Sequence, residues 1–275
     1  MVEVLVSSAS RDEMIHQLAE APTLFEVVGP NEELVEGSDC VLFFGADARS
    51  CSVQRLRLDE DSLETTVSRI RQEIRARGRG PATWEVLSSV HPPSTIERLV
   101  SLGMKRSTPP VAAIMALSSE PPAANPQVVV VRVDTLDEFR THVKITHEVF
   151  AMLDRLPGVL NSMDADGPRK LDDRSFIRYV ARVDGEPAGA STATFTPAGV
   201  MLHSGSTLER YRQRGVYTAM VRHRWLEATS RATPHLITRA GPMSRPILQK
   251  LGFREWAEVH FLEDTLDDRG RPLAS

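Results

Sequence analysis

Tyr211-Arg212-Gln213-Arg214-Gly215-Val216-Tyr217-Thr218-Ala219-Met220 is the stretch whose reading decides the fold. It follows a strand-like run ending Gly205-Ser206-Thr207-Leu208. It leads without a break into a helical pattern from Thr218 to Ala228, with Met220, Val221, Trp225 and Leu226 at helical spacing. A strand that passes through an Arg/Gly turn into a helix leaves the first N–H groups of that helix unpaired. They point the same way and carry the positive end of the helix dipole. Such a corner is an anion site for phosphate groups, and Gly215 lets a ligand come close to the backbone. The chain has no G-x-x-x-x-G-K-[ST] run, which argues against a nucleotide triphosphatase loop. Gly215 has no glycine partners at dinucleotide-fold spacing.

The pattern extends in both directions. Downstream, Leu236-Ile237-Thr238-Arg239-Ala240 reads as a buried strand, and Gly241 to Pro246 as a turn with Ser244 as helix cap. Ile247, Leu248 and Leu251 give a short apolar helix face closed by Gly252, before a final strand from Ala257 to Leu262. Upstream, strands are expected over Val128–Val133, Phe176–Val183, Ala188–Thr196 and Val200–Leu208, with a hairpin turn at Asp184-Gly185. A helix is expected from Leu136 to Leu153, capped by Asp134 or Thr135. Residues 157–173, with Pro157-Gly158 and Gly167-Pro168, read as a loop-rich segment.

Length and composition bound the rest. At 275 residues the chain suits two domains. A net charge of −4 gives no reason to expect nucleic acid or an anionic membrane as partner, and the longest apolar runs are far too short to cross a bilayer. Met1 to Val6 lacks the marks of an export signal. Cys40 and Cys51 are too few for a disulfide scaffold or a cysteine-based metal site. A cytoplasmic protein without a metal is expected. Ser118 to Pro126, with three prolines, reads as a linker, which sets domains at 1–118 and 128–275 with 119–127 between them. The halves look like worn copies: strand from Trp84, Pro turn, helix Ser94–Ser101, Leu102-Gly103-Met104 and strand Val111–Leu117 match the segments ending Leu251-Gly252-Phe253, about 149 residues on. Before the first-half helix (Asp61 to Arg77) stand Asp59-Glu60-Asp61, which would repel a diphosphate.

Arg212-Gln213-Arg214-Gly215-Val216-Tyr217 resembles the coenzyme A loop of the GCN5-related N-acetyltransferases, [RQ]-x-x-G-x-[GA], with Tyr217 where the family has Gly or Ala. Leu251-Gly252-Phe253 resembles the "LGF" that closes the same family's last helix. The resemblance covers about residues 128 to 265. It implies an α/β fold with a mixed sheet: two acetyltransferase-like domains, each a mostly antiparallel twisted sheet flanked by helices, the N-terminal copy degenerate. It further implies acetyl-CoA as donor, held by Ser206, Thr207 and Leu208 of the strand and by Arg212, Gln213, Arg214, Gly215, Val216, Tyr217 and Thr218. The implied function is acetyl transfer to the amine of a small-molecule or amino-acid-like acceptor. The alternative is a catalytically impaired acyl-CoA-binding regulatory or scaffold protein; O-acyl transfer or a longer acyl donor is a third reading. A homodimer is left open.

For the base, His203 stands first. In a regular strand 201, 203, 205 and 207 share one face, which puts His203 on the face of the expected acetyl-binding residues. The competing reading is a partly buried histidine bonded to a neighbour. His147, Glu148 and the Asp164/Asp166 pair stand behind it, and solvated charges are the plainer account of them. The acid position that many members fill with Tyr on the last helix is Leu248 here; Ser244 or Tyr217 are the substitutes. Arg239 is read either as meeting an acceptor carboxylate or as a salt-bridge partner.

Overall fold

A computed structural model describes residues 8–25, 28–29, 31–47, 50–107, 112–233, 235–267 and 271. The chain runs α1 (Ser8–Glu20), β1 (Glu33–Glu36), β2 (Val41–Phe44), β3 (Cys51–Gln54), α2 (Leu63–Ala76), β4 (Ala82–Leu87), α3 (Thr95–Ser101), β5 (Lys105–Arg106) and β6 (Ala112–Leu117). It continues through β7 (Val128–Arg132), α4 (Leu136–Val149), α5 (Leu156–Asp172), β8 (Phe176–Val183), β9 (Glu186–Thr196) and β10 (Gly199–Thr207). A 3-10 turn (Glu209–Tyr211) then leads into α6 (Val216–Ser230), β11 (Leu236–Ala240), α7 (Arg245–Lys250) and β12 (Arg254–Asp264). Val111, expected to open β6, lies outside the described residues. None of the described helices is long and apolar enough to cross a membrane.

The chain forms two compact units. One consists of Ala116–Thr238 and Pro246–Arg254 with the stretch up to Ile15; the other of His16–Met115 and Arg239–Arg245 with the stretch from Glu255 onward. In the first unit the strand order is β7-β8-β9-β10-β11, antiparallel except for the β10–β11 pair. Strand alternation divides its side chains between two layers. Val180, Ala190 and Leu208 pack with Phe139 and Val143 of α4 and Met163 of α5. Ala181, Val183 and Ala188 pack with Val216, Ala219 and Met220 of α6.

Residues 157–173 correct the loop expectation, because most of them belong to α5. Pro157 stands in the first turn, where its missing N–H costs nothing. Burial of Met163, with Leu160 and Leu171 packed against the same core, outweighs the breaker residues further on. Gly167 has a packing role: a Cβ there would lie 2.5 Å from Leu136 Cδ2. α4 is also shorter than expected. Thr135 Oγ1 accepts the Glu138 N–H at 3.3 Å as the cap, and the helix ends at Val149, before Ala151 at φ 55°.

In the second unit the order is β1-β2-β3-β4-β12, antiparallel except for β3–β4. The last strand of the chain therefore pairs with a strand of the N-terminal half, Val259 opposite Leu87 and Asp264 opposite Ala82. Both units contain a strand, a crossover helix, a parallel strand and a short helix in the same order. Gly103 and Gly252 both stand at φ 93°. Each lies inside the same closure, Met104 N–H to Leu99 O and Phe253 N–H to Leu248 O. That shared αL cap is why Leu-Gly recurs in the sequence.

Candidate active site

The corner between β10 and α6 is built by two left-handed residues, Gln213 at φ 64° and Gly215 at φ 79°, the latter the N-cap of α6. The N–H groups of Gln213 through Thr218 find no acceptor among the described residues, and the first bonded amide is Ala219, to Gly215 O at 3.0 Å. Asn125 holds the loop from behind: its Nδ2 donates to Arg214 O at 3.0 Å, and its Oδ1 accepts the Gln127 N–H. Arg214 pairs with Asp184 at 3.1 Å, while Arg212, exposed, has no ion pair among the described residues. The result is a row of uncommitted donors at the positive end of a fifteen-residue helix.

Beside this corner β10 carries a bulge. His203 faces Thr192 and Ser206 faces Ala190, so Ser204 and Gly205 together oppose Ser191, with Ser204 at φ 48°. The bulge changes the side-chain parity and corrects the expectation that 203 and 205 share a face. His203 and Ser206 lie on the α4 side, whereas Gly205 turns toward α6. The β10–β11 ladder contains two pairs only, Val200–Leu236 and Met201–Ile237. Beyond them the edge of β10 has no strand partner in that direction among the described residues. Leu208 N–H bonds Ala188 O on the β9 side at 3.0 Å, so by strand alternation the Thr207 amide points to the open edge. Ser206 Oγ is committed to Ala190 O at 3.1 Å. His203 is half-buried, with Nε2 3.0 Å from Thr194 Oγ1 and its ring 6.0 Å from that of Phe176. Both readings of His203 therefore stand side by side: it is anchored to a neighbour and lies one residue from the bulge.

Comparison with known proteins follows the same lines. No protein-family model and no curated protein matches the sequence. Among solved structures, a GCN5-related N-acetyltransferase from Kribbella flavida superposes with a TM-score of 0.67 at 14% identity, covering 92% of this chain and 95% of its own. A tandem protein of the same family from the clavulanic acid biosynthesis pathway gives 0.62 at 15% identity, with 94% and 96% covered. A third, from Sphaerobacter thermophilus, gives 0.55 at 18% identity, with 83% and 81% covered. The chain has the tandem acetyltransferase fold.

Against that acetyltransferase fold the departures from the family's pattern acquire positions. Tyr217 turns its ring away from the helix mouth and onto β10: a Cβ on Gly205 would lie 2.7 Å from Tyr217 Cε2. Burial raises its phenol pKa, with the Arg224 guanidinium opposing. Leu248, at the family's tyrosine position, is buried and apolar. Ser244 lies in the unit that contains Arg239–Arg245, and its Oγ donates to Gly241 O at 3.2 Å within its own turn. Arg239 pairs with Glu85. His147 Nδ1 lies 2.9 Å from Val143 O within its own helix, and Glu148 pairs with Arg210 at 3.6 Å on the surface. Asp164 pairs with Arg140, and the Asp166 side chain lies outside the described residues. In the N-terminal unit, Asp59 Oδ1 takes the Asp61 N–H at 3.3 Å, so an acid occupies the approach to α2.

Three residues of this region escaped the sequence reading. Asn125 stood in the linker, 89 positions from the carbonyl it holds, and no local signal pointed there. His142 lies on the buried face of α4, and burial together with the Arg178 guanidinium pulls its pKa down to about 4. Arg224 is fully buried on α6. Its signal was present: Met220, Arg224 and Ala228 fall at four-residue spacing on one helix face, which put a cation in a core position.

Proposed function

We propose that the protein is an acetyl-CoA-dependent N-acetyltransferase acting on the amine of a small-molecule or amino-acid-like acceptor. The observation that carries this reading is the row of free amides from Gln213 to Thr218 beside a bulged strand with an open edge. Acetyl-CoA would supply an activated acyl carbon joined to a good leaving group. The amides of the corner, with Arg212, hold the diphosphate. The free edge of β10, with the outward amide of Thr207, receives an extended arm by strand-like hydrogen bonds. A bulge leaves its extra residue out of the ladder, and an N–H at Ser204–Gly205 faces negative charge as it develops on the carbonyl oxygen. His203, held by Thr194, takes the proton released by the amine, directly or through a water.

The test is Gly215→Asp. The left-handed backbone at 215 tolerates Asp better than most residues. The added carboxylate stands among donors meant for phosphate. The expected outcome is a circular dichroism spectrum and melting curve close to wild type, with affinity for coenzyme A lowered by about a hundredfold or more, as removal of charge-assisted bonds predicts. Unchanged affinity by calorimetry sinks the assigned corner.

The second reading, an acyl-CoA-binding module without turnover, is favoured by two observations: Tyr217 seated on Gly205, and the apolar Leu248 at the acid position. It predicts thermal stabilisation by acetyl-CoA with no thiol release across a broad panel of amines.

A further inference from the structure

Arg224 is fully buried, yet among the described residues no carboxylate pairs with it. Its Nε donates to Met220 O at 3.0 Å and its Nη1 to Thr192 O at 3.1 Å, while Nη2 has no hydrogen-bond partner among the described residues. The ionisable groups it feels are phenols, those of Tyr217 and Tyr179, and burial raises the pKa of both, which keeps them neutral. The acid one turn on, Glu227, is taken by the Tyr179 hydroxyl at 2.5 Å and by Arg231. A buried cation is retained at a cost unless something pairs with it.

The position of this cation makes the vacancy in its bonding informative. Thr192, whose carbonyl it holds, faces His203, the last residue before the bulge. Ser191, opposite the bulge, is fully buried and its Oγ also lacks a hydrogen-bond partner among the described residues. Ser191 pairs with Tyr179, which reaches Glu227 of α6, so its side chain lies on the α6 side, the side of Arg224. Gly205, exposed in the bulge, faces the half-buried ring of Tyr217, a residue of the same helix as Arg224.

We propose that the underside of the bulge is an acyl-specificity site, in which Arg224 and Ser191 bind the terminal carboxylate of a dicarboxylic acyl group on the donor thioester. The proposal rests on the transferase reading and deepens it, by naming the donor class. An acyl group that reaches past Gly205 takes the place of the Tyr217 ring. A guanidinium presents its donors as a planar fork that matches a carboxylate. A neutral acyl chain of the same length leaves Nη2 and Ser191 Oγ as they are and gains nothing from them.

Calorimetry decides between them. Coenzyme A, butyryl-CoA and succinyl-CoA are titrated into the wild type and into Arg224→Met, a substitution that replaces a buried charge with an apolar chain of similar length and is expected to fold. Wild type should bind succinyl-CoA at least about tenfold more tightly than butyryl-CoA, the scale of a charge-assisted hydrogen bond. Arg224→Met should bring the two affinities together without changing that for coenzyme A. Equal affinities in the wild type overturn the proposal, whether or not the variant folds, and so does a preference that survives in Arg224→Met. Binding of coenzyme A without any acyl preference removes this site and leaves the corner standing; no binding of coenzyme A at all removes both.

Discussion

His142 illustrates what burial does to a titratable residue beside a site. Its imidazole is about 6% exposed on the sheet side of α4, and its pKa falls from 6.5 to about 4 because the interior and the Arg178 charge both disfavour a second proton. The sign of the stability effect follows. Between pH 6.5 and 4 the unfolded chain takes up a proton that the native state refuses, so stability falls as pH drops through that window and is unaffected above it. The expected loss between pH 7 and pH 5 is on the order of 2 kcal/mol. His142→Gln should lack this increment in denaturant melts at the two pH values; an identical pH dependence in both proteins would exclude His142 as its source. His223 and His260 are lowered in the same direction, so the difference between wild type and variant is the informative quantity. At this scale Gly215 and Leu248 were legible as deviations from, or matches to, a known pattern. Arg224 was legible in principle, as a charge on an apolar stripe. Asn125 was not, since the carbonyl it holds stands 89 positions away.

At the scale of elements, the corner depends on how closely α6 approaches β9. Gly189 sets that distance: a Cβ there would stand 2.7 Å from both Ser206 O and Val216 Cγ1, and 3.2 Å from Met220 Cε. One of these neighbours is backbone of the bulged strand and another begins the helix, so neither yields without moving the site. Gly189→Val should destabilise the protein by about 3 kcal/mol, as overpacking of a filled core does. A thermal melt within about a degree of wild type would show that the helix has room to move, since 1 kcal/mol is worth a few degrees in a chain of this size. Most elements were foreseeable because alternation and helical spacing are local. The parity of β10 was not. A bulge adds one residue through pairing with β9, and an alternation argument has no access to it. α5 went unforeseen for a related reason: Pro and Gly suggest a loop, but the burial of Met163 against α4 is a property of the partner helix.

For the molecule as a whole, the path of the chain matters more than its halves. The unit built largely from the N-terminal half takes β12 as a sheet strand. A bidentate ion pair fixes that strand to α2, with Arg71 Nε 2.8 Å from Asp264 Oδ2 and Nη2 3.0 Å from Oδ1, both side chains buried. Asp264→Ala leaves the Arg71 charge buried and alone, and should cost about 3–5 kcal/mol in chemical denaturation. The double variant Arg71→Met, Asp264→Leu should recover most of that loss. A double variant as unstable as the single one would mean that the strand, and not the charge pair, carries the energy.

The amino-acid sequence by itself determined the identity of most elements, the strand–turn–helix corner at Gly215 and the repeated Leu-Gly closure. These depend on side-chain spacing and on backbone angles that only glycine enters cheaply. Tertiary structure alone decided which half the last strand joins, which way Tyr217 turns, and that a buried guanidinium lies under the bulge without an acid partner among the described residues. Those outcomes come from contacts between residues far apart in the chain, where the energy lies in mutual burial and pairing that no short window of sequence contains.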